Sequence, residues 1–329
     1  MKRFQNILFA RNVEHNKKAM VRALVLARRN QARLSFLETP EEISDVSVFG
    51  LPNETVNRLK QAALKHSRQD LEELEQLEGD QGNVQVEFQV VEGIRFLTII
   101  REALRGDYDL VVKAAEGHEG LVSSLFSTTD MHLLRKCPCP LWLVKSDGPE
   151  TIKRIVAAVD FDLPDVAGAN EALNQQILEM AISLAHAEGA ELQVVHAWRS
   201  MNDLPFYGLQ SDMAAGMTVL IDTEDCLEEV KVSRERSLSM LMHSVRDKVG
   251  PELFDAVKPI AYAIRGDAED VITEKVRSDD VDLLVMGTMG RVGIPGFFIG
   301  NTAESILNQI DCSVLAVKPA GFKSPVTLE

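Results

Sequence analysis

Glycines at 287, 290, 293, 296 and 300 follow an apolar run from Val281 to Met286 that carries Asp282 within it. Such a run reads as a buried parallel strand. From Ala303 onward the spacing changes: Ile306, Leu307 and Ile310 recur at three and four, the period of a helix. A strand, a glycine-rich loop and a helix N-terminus together make an anion site. The N–H groups of the first turn have no helical partner, and the macrodipole places positive charge there. Glycine has no Cβ, so the backbone can come within reach of a phosphate. A tight βα turn that binds nothing also needs glycine, for positive φ, and the pattern alone leaves both readings open. Two other phosphate loops are excluded. No Lys-Ser/Thr pair closes the glycines, and their spacing is not that of the dinucleotide fingerprint.

The remaining chemistry-bearing residues are sparse. Four cysteines (Cys137, Cys139, Cys226, Cys312) show neither Cys-x-x-Cys spacing nor paired histidines, so a zinc site and a disulfide framework are both disfavoured. Cys137-Pro138-Cys139 admits a redox reading beside plain packing at the mouth of a strand, because buried free cysteine behaves as a small hydrophobe. His118 and His132 have no nucleophile beside them, and the expectation is one loop histidine and one helix-face histidine.

Composition bounds what these residues can serve. A chain of 329 residues exceeds one ordinary core and predicts two domains. Apolar content of 45% and charged content of 26% are those of a soluble globular protein. A net charge of −15 excludes nucleic acid as a main partner, since phosphate-backbone binding needs a basic surface. No apolar run is long enough to span a bilayer. Met1-Lys2-Arg3 leads into a short strand rather than a leader, and reduced cysteines fit a cytoplasmic protein.

The elements that must position the glycines follow from periodicity. Strands are expected at Ile7–Ala10, Arg33–Leu37, Val84–Val91, Leu110–Lys113 and Leu141–Val144. Helices are expected near Lys17–Arg29, Thr55–Leu77, Phe96–Leu104 and Thr129–Lys136. After Gly148 the order recurs. Ile155–Val159 is followed by a helix with Leu173, Ile177, Met180 and Leu184 on one stripe, then by Leu192–Ala197. A helix carries Leu227 to Val245, and Val257–Ile264 is a third strand whose Pro259 confines it to an edge. Val271 to Val276 mark a helix, and Val281–Met286 and Cys312–Val317 close the half. Alternating strands and helices imply a parallel sheet covered on both faces.

The recurrence is a duplication. An offset of 173 (109 to 282) aligns Asp109-Leu-Val-Val with Asp282-Leu-Leu-Val, Gly93 with Gly266, Gly117 with Gly290, Gly120 with Gly293, Cys139 with Cys312 and Lys145 with Lys318. Near the first strands the offset is 148 (12 to 160), so the second half has gained residues on the rim where such folds bind ligands. The expected domains are 1–148 and 149–329.

Gly287-x2-Gly290-x9-Gly300, after Val285-Met286 and before Cys312-Ser-Val-Leu-Ala-Val-Lys, resembles the ATP-binding loop of the universal stress protein family. The tandem arrangement is similar to the two-domain E type of that family. The resemblance spans essentially the whole chain. It implies an α/β fold of two tandem doubly wound domains, each a five-stranded parallel sheet of order 3-2-1-4-5 with helices on both faces. The last strands would pair, making an intramolecular pseudo-dimer and leaving a further homodimer open.

Such sheets bind ligands beyond the strand ends where the order reverses. By resemblance, Asp160 contacts the base of an adenine nucleotide, the backbone at Ala197 lines the adenine pocket, and Met286 and Met289 cover it. For Asp160 an N-cap or Asx turn stays open, and for both methionines core packing does. The triphosphate of ATP, with Mg²⁺, would lie on Gly287, Gly290, Gly300, Asn301 and Thr302. Asn301 stands where ATP-binding members carry Ser or Thr. The first half departs further, with Ala114 and Ser127 for the first and last glycines and Asn12 for the aspartate, so it reads as degenerate for nucleotide. His196, ending an interior strand, is either a hydrogen-bonded core histidine or a general base. No nucleophile, base and metal set is visible, so the expectation is a binding protein, a regulator or scaffold, at most a slow ATPase. The apolar inserted segment 201–225 keeps open a carrier of an apolar or lipid-like ligand.

Overall fold

The computed structural model describes residues 4–11, 17–39, scattered positions of a helical stretch between 54 and 72, and residues 84–116, 126–161, 169–199, 224–288 and 299–328. Asn12, Gly117, His118, Gly120, Met289, Gly290 and most of segment 201–225 lie outside the described residues. By its contacts the chain divides into two units. Unit 1 takes residues 1–151, 288–301 and 311–329, and unit 2 takes 152–287 and 302–310.

Unit 1 runs β1 (Asn6–Arg11), α1 (Lys17–Asn30), β2 (Arg33–Glu38), β3 (Val86–Val90), α2 (Arg95–Arg105), β4 (Leu110–Ala114), α3 (Thr128–Lys136) and β5 (Leu141–Val144). The strands lie in the order β3-β2-β1-β4-β5, all parallel. β1, β4 and β5 are buried along their whole length, as strands covered on both faces must be. Register places Phe9, Phe36 and Phe88 side by side on β1, β2 and β3, with ring centroids 5.2 and 5.1 Å apart. The sixth strand of the unit is β10 (Ser313–Val317), which runs antiparallel to β5 with Leu315 opposite Trp142. The expected pairing of the two last strands is therefore present. A Lys145 Nζ to Asp311 contact of 2.8 Å and a Lys145 N–H to Ser313 Oγ bond of 3.1 Å fix its near end.

Unit 2 runs β6 (Arg154–Val159), α4 (Ala169–Glu188), β7 (Glu191–Trp198), α5 (Glu224–Val249), α6 (Pro251–Val257), β8 (Ile260–Arg265), α7 (Ala268–Ser278), β9 (Leu283–Gly287) and α8 (Asn301–Gln309), the last beginning at the end of a unit 1 segment. Its strands are parallel in the order β9-β6-β7-β8, the 4-1-2-3 of the first repeat.

One expectation is corrected. Val257, Lys258 and Pro259 are not strand. A short helix, α6, ends at Val257, and Lys258 takes a left-handed conformation (φ 51°) that stops it. The cause was in the sequence, since Gly250-Pro251 puts proline at the first helical position, where its missing N–H costs nothing. Pro259 thus precedes β8 instead of sitting in it.

The duplication holds at atomic detail. Gly93 and Gly266 share a positive φ of 141° and 146°, and Asp107 and Asp280 share 49° and 47°. Asp109 Oδ2 accepts from the N–H groups of Gln5 (2.7 Å) and Asn6 (3.3 Å), and Asp282 Oδ2 from those of Lys153 (2.6 Å) and Arg154 (3.0 Å).

Candidate functional site

The register Val159–His196 and Ala158–Met286 brings Asp160, Ala197, Met286 and Gly287 to one carboxyl end of unit 2, at β6, β7 and β9. Met286 and Ala197 are buried, and Asp160 and Gly287 half-buried. Asn174 of α4, buried within an otherwise apolar stripe, brackets the Asp160 backbone: its Oδ1 accepts from Asp160 N–H at 3.1 Å and its Nδ2 donates to Asp160 O at 2.8 Å. Arg234 of α5 donates to Phe161 O at 3.2 Å. The backbone leaving β6 is therefore held from two helices. Asn174 was not singled out from sequence; its signal is an amide in an apolar stripe.

Gly287 has a second reason to be glycine. A Cβ there would stand 3.0 Å from Leu173 Cδ2 and 3.8 Å from Ile177 Cδ1 of α4. The close approach of that helix favours a glycine with or without an anion. His196 is fully buried, its Nδ1 3.2 Å from Val159 O and its ring edge-on to Phe161 at 4.9 Å, as a core histidine would be. His132 stacks on Phe96 at 4.2 Å. Burial and the neighbouring Lys136 and Arg135 hold it below its ordinary value.

Gly300 donates its N–H to Thr288 O at 3.0 Å, tying the two ends of the glycine-rich loop, and Asn301 and Thr302, both exposed, open α8. Met289 and Gly290 lie outside the described residues. Among the described residues no group of three or more His, Cys, Asp or Glu could hold a metal.

The matching place in the first repeat is filled by its own side chains. Lys113, completely buried at the end of β4, uses all three of its ammonium protons: on Asp130 Oδ1 (2.8 Å), Glu116 Oε1 (2.9 Å) and Ala114 O (3.0 Å). Asp130 Oδ2 accepts from the N–H groups of Glu116 (2.9 Å) and Ser127 (3.0 Å). Ser127 Oγ accepts from Asp130 N–H at 3.1 Å and donates to Glu116 Oε2 at 3.0 Å, so Ser127 and Asp130 form a capping box on α3. Arg95 adds a 3.1 Å contact to Glu116. Burial would raise the Glu116 carboxyl, but Lys113, Arg95 and Ser127 outweigh it and hold it below its ordinary value. At the offset of 173, Lys113, Ser127 and Asp130 become Met286, Gly300 and Ala303. None of these three has a side chain that can cap a helix or carry charge. The sequence signals for this network were a lysine inside an apolar strand and Ser-x-x-Asp ahead of a helix, and neither was read.

The two halves also match one family profile, described as the Universal stress protein family, over residues 3–145 and again over 151–318. The chain belongs to the universal stress protein family. It is a stress-response protein with two family domains in tandem. Universal stress protein E of Escherichia coli strain K12 is 31% identical to it, over 75% of this chain and 72% of that one. Universal stress protein E of Photorhabdus laumondii is 26% identical over 99% and 98%. A solved structure of a functionally unknown protein from Pseudomonas aeruginosa PAO1 has a TM-score of 0.66 at 23% identity, covering 97% of this chain and 94% of its own. A universal stress protein from Archaeoglobus fulgidus DSM 4304 has a TM-score of 0.58 at 15% identity, covering 95% and 98%. These two speak for the fold. In this universal stress protein no helix among the described residues is long and apolar enough to cross a membrane.

Proposed function

We propose that the second repeat binds an adenine nucleotide, ATP foremost, and that the protein acts by holding it as a regulator or scaffold rather than by turning it over. The observation that carries this reading is the contrast between α3 and α8. In the first repeat the amide groups entering α3 are satisfied by Ser127 and Asp130, with Lys113 as counter-ion. In the second repeat glycine, alanine and methionine stand at those positions. The first N–H groups of this nine-residue helix have no partner within the helix, and the side chains at those positions offer them none, which suits an external anion.

In this reading Asp160 and the backbone at Ala197 receive the base, with Met286 and Met289 beside it. Gly287, Gly290, Gly300, Asn301 and Thr302 receive the phosphates. Mg²⁺ would come with the nucleotide, because the described residues offer no preformed cluster for it. Cys137, Cys139 and Cys312 form no disulfide, which supports a reducing, cytoplasmic setting.

The test is a thermal-shift series with ATP and Mg²⁺. A ligand that binds only the folded state raises the melting temperature progressively with its concentration. Gly290→Asp should abolish that rise and Gly117→Asp should leave it intact. Equal loss from both variants, or no rise in the wild type, refutes the reading.

A further inference from the structure

We propose that Cys137 and Cys139 are a peroxide-sensitive dithiol whose oxidation loosens a lysine clamp on the base of the glycine-rich loop. Their sulfurs lie 3.9 Å apart in hydrogen-bond contact, and both are free and buried. They sit at the exit of α3, where Cys137 N–H closes the helix on Leu133 O. The second repeat keeps only half of this arrangement, since Cys312 matches Cys139 but Ile310 matches Cys137.

A second, independent feature meets them at the same helix end. Lys318, just past β10, is buried and donates to Leu134 O and, at 2.8 Å, to Thr288 Oγ1. Its repeat counterpart, Lys145, has a carboxylate partner in Asp311. At the offset of 173 the residue answering Asp311 is Pro138, so Lys318 has no such partner from the repeat. Among the described residues, the groups whose negative charge would act on it are the two thiols. A buried ammonium needs a negative neighbour, and a Cys137 thiolate supplies one.

Titration leans the same way. Burial brings Lys318 down to about 8. The hydrogen bond from Cys139, with Lys318 assisting against burial, holds the Cys137 thiol below its ordinary value. The same bond, with burial, pushes Cys139 well up. In the proposed step Cys137 is the attacking sulfur and Cys139 the resolving one.

The chemistry balances with a peroxide as the named oxidant. The Cys137 thiolate attacks one peroxide oxygen, an S–O bond forms, the O–O bond breaks, and the departing oxygen takes a proton. Cys139 then attacks the sulfenic sulfur, an S–S bond forms, and the S–O oxygen leaves with the Cys139 proton as water. Sulfur loses two electrons and the peroxide gains them.

The negative partner of Lys318, the Cys137 thiolate, disappears in that step. A disulfide also holds its sulfurs at about 2.05 Å, so closing the 3.9 Å gap pulls on the last turn of α3. That turn carries Leu134 O, which accepts from Lys318 and, at 3.3 Å, from Thr288 Oγ1. Thr288 O in turn receives the Gly300 N–H that ties the two ends of the loop. The path from thiol to loop base is thus a continuous set of contacts within unit 1, and it stands whether or not the loop holds nucleotide.

Full-length protein treated with stoichiometric hydrogen peroxide and digested with trypsin tests this directly. Cleavage after Lys136 and Lys145 leaves both cysteines in the peptide 137–145. That peptide should lose the mass of two hydrogens, reversibly with dithiothreitol, while Cys226 and Cys312 remain alkylatable. Lys318→Met should slow the loss severalfold by lowering the thiolate fraction, and Lys318→Arg should preserve the rate. Hydrogen exchange at the Gly300 amide should quicken in the oxidised protein. A peptide that stays reduced, or gains oxygen without forming the disulfide, overturns the dithiol. Equal rates in the wild type and both variants overturn the role of Lys318. Unchanged exchange at Gly300 overturns the link to the loop.

Discussion

Lys113 shows how one residue can decide what a place in a fold is for. A charge with no exposure to water survives only when paired and fully bonded, and removing one partner of such a pair costs about 3–5 kcal/mol. Lys113→Met alone leaves Asp130 buried without its counter-ion and should cost on that order by urea denaturation. Asp130→Ala alone, which leaves Lys113 with Glu116, should cost somewhat less. The double change copies Met286 and Ala303 of the second repeat, where the same fold manages without the pair. It should cost clearly less than the sum of the singles. Additive losses would mean that Lys113 and Asp130 do not act as a pair, against their 2.8 Å contact.

Elements repeat more faithfully than side chains do, and the glycines before α2 and α7 show why. At Gly93 an added Cβ would stand 2.8 Å from Thr98 Oγ1, and at Gly266 2.9 Å from Val271 Cγ2, residues related by the same offset. With φ near 140° as well, an L side chain is strained at either place, by about 1–3 kcal/mol. Gly93→Ala and Gly266→Ala should therefore destabilise the protein by similar amounts. A loss at one and none at the other would break the structural equivalence.

This explains what could be read in advance. Strand and helix positions and the internal repeat were legible, because period and glycine placement are local and were duplicated intact, whereas the strand order followed from the family resemblance. Helix α6 was not, since seven residues with no buried side chain carry no periodic signal beyond Pro251. At the candidate site Asp160, Ala197, Met286 and Gly287 were placed from strand ends. Asn174 and the Lys113 network were missed because their partners lie 14 to 17 residues away and meet only once helices dock. The second reason for Gly287 was hidden for the same cause, as Leu173 belongs to α4.

At the scale of the molecule, the last strand of the second repeat serves the first. β10 covers β5, whose Leu141, Trp142 and Leu143 are at most 2% exposed, and it occupies hydrogen bonds that would otherwise be an open edge. Lys145 is tied to Asp311 and Ser313, and farther along Ser324 Oγ donates to Lys136 O at 2.7 Å and Arg101 Nε to Thr327 O at 3.1 Å. Unit 1 is incomplete without residues from 311 onward. An uncovered, apolar, buried-type strand recruits another strand, and the one with matching sequence and pairing geometry is β5 of a second copy, since β5 and β10 are repeat equivalents. A chain ended after Ile310 should therefore elute as a dimer or larger species, concentration-dependent by light scattering, and melt lower than the full chain. A monomer with unchanged melting temperature would show that β10 contributes neither cover nor closure to unit 1.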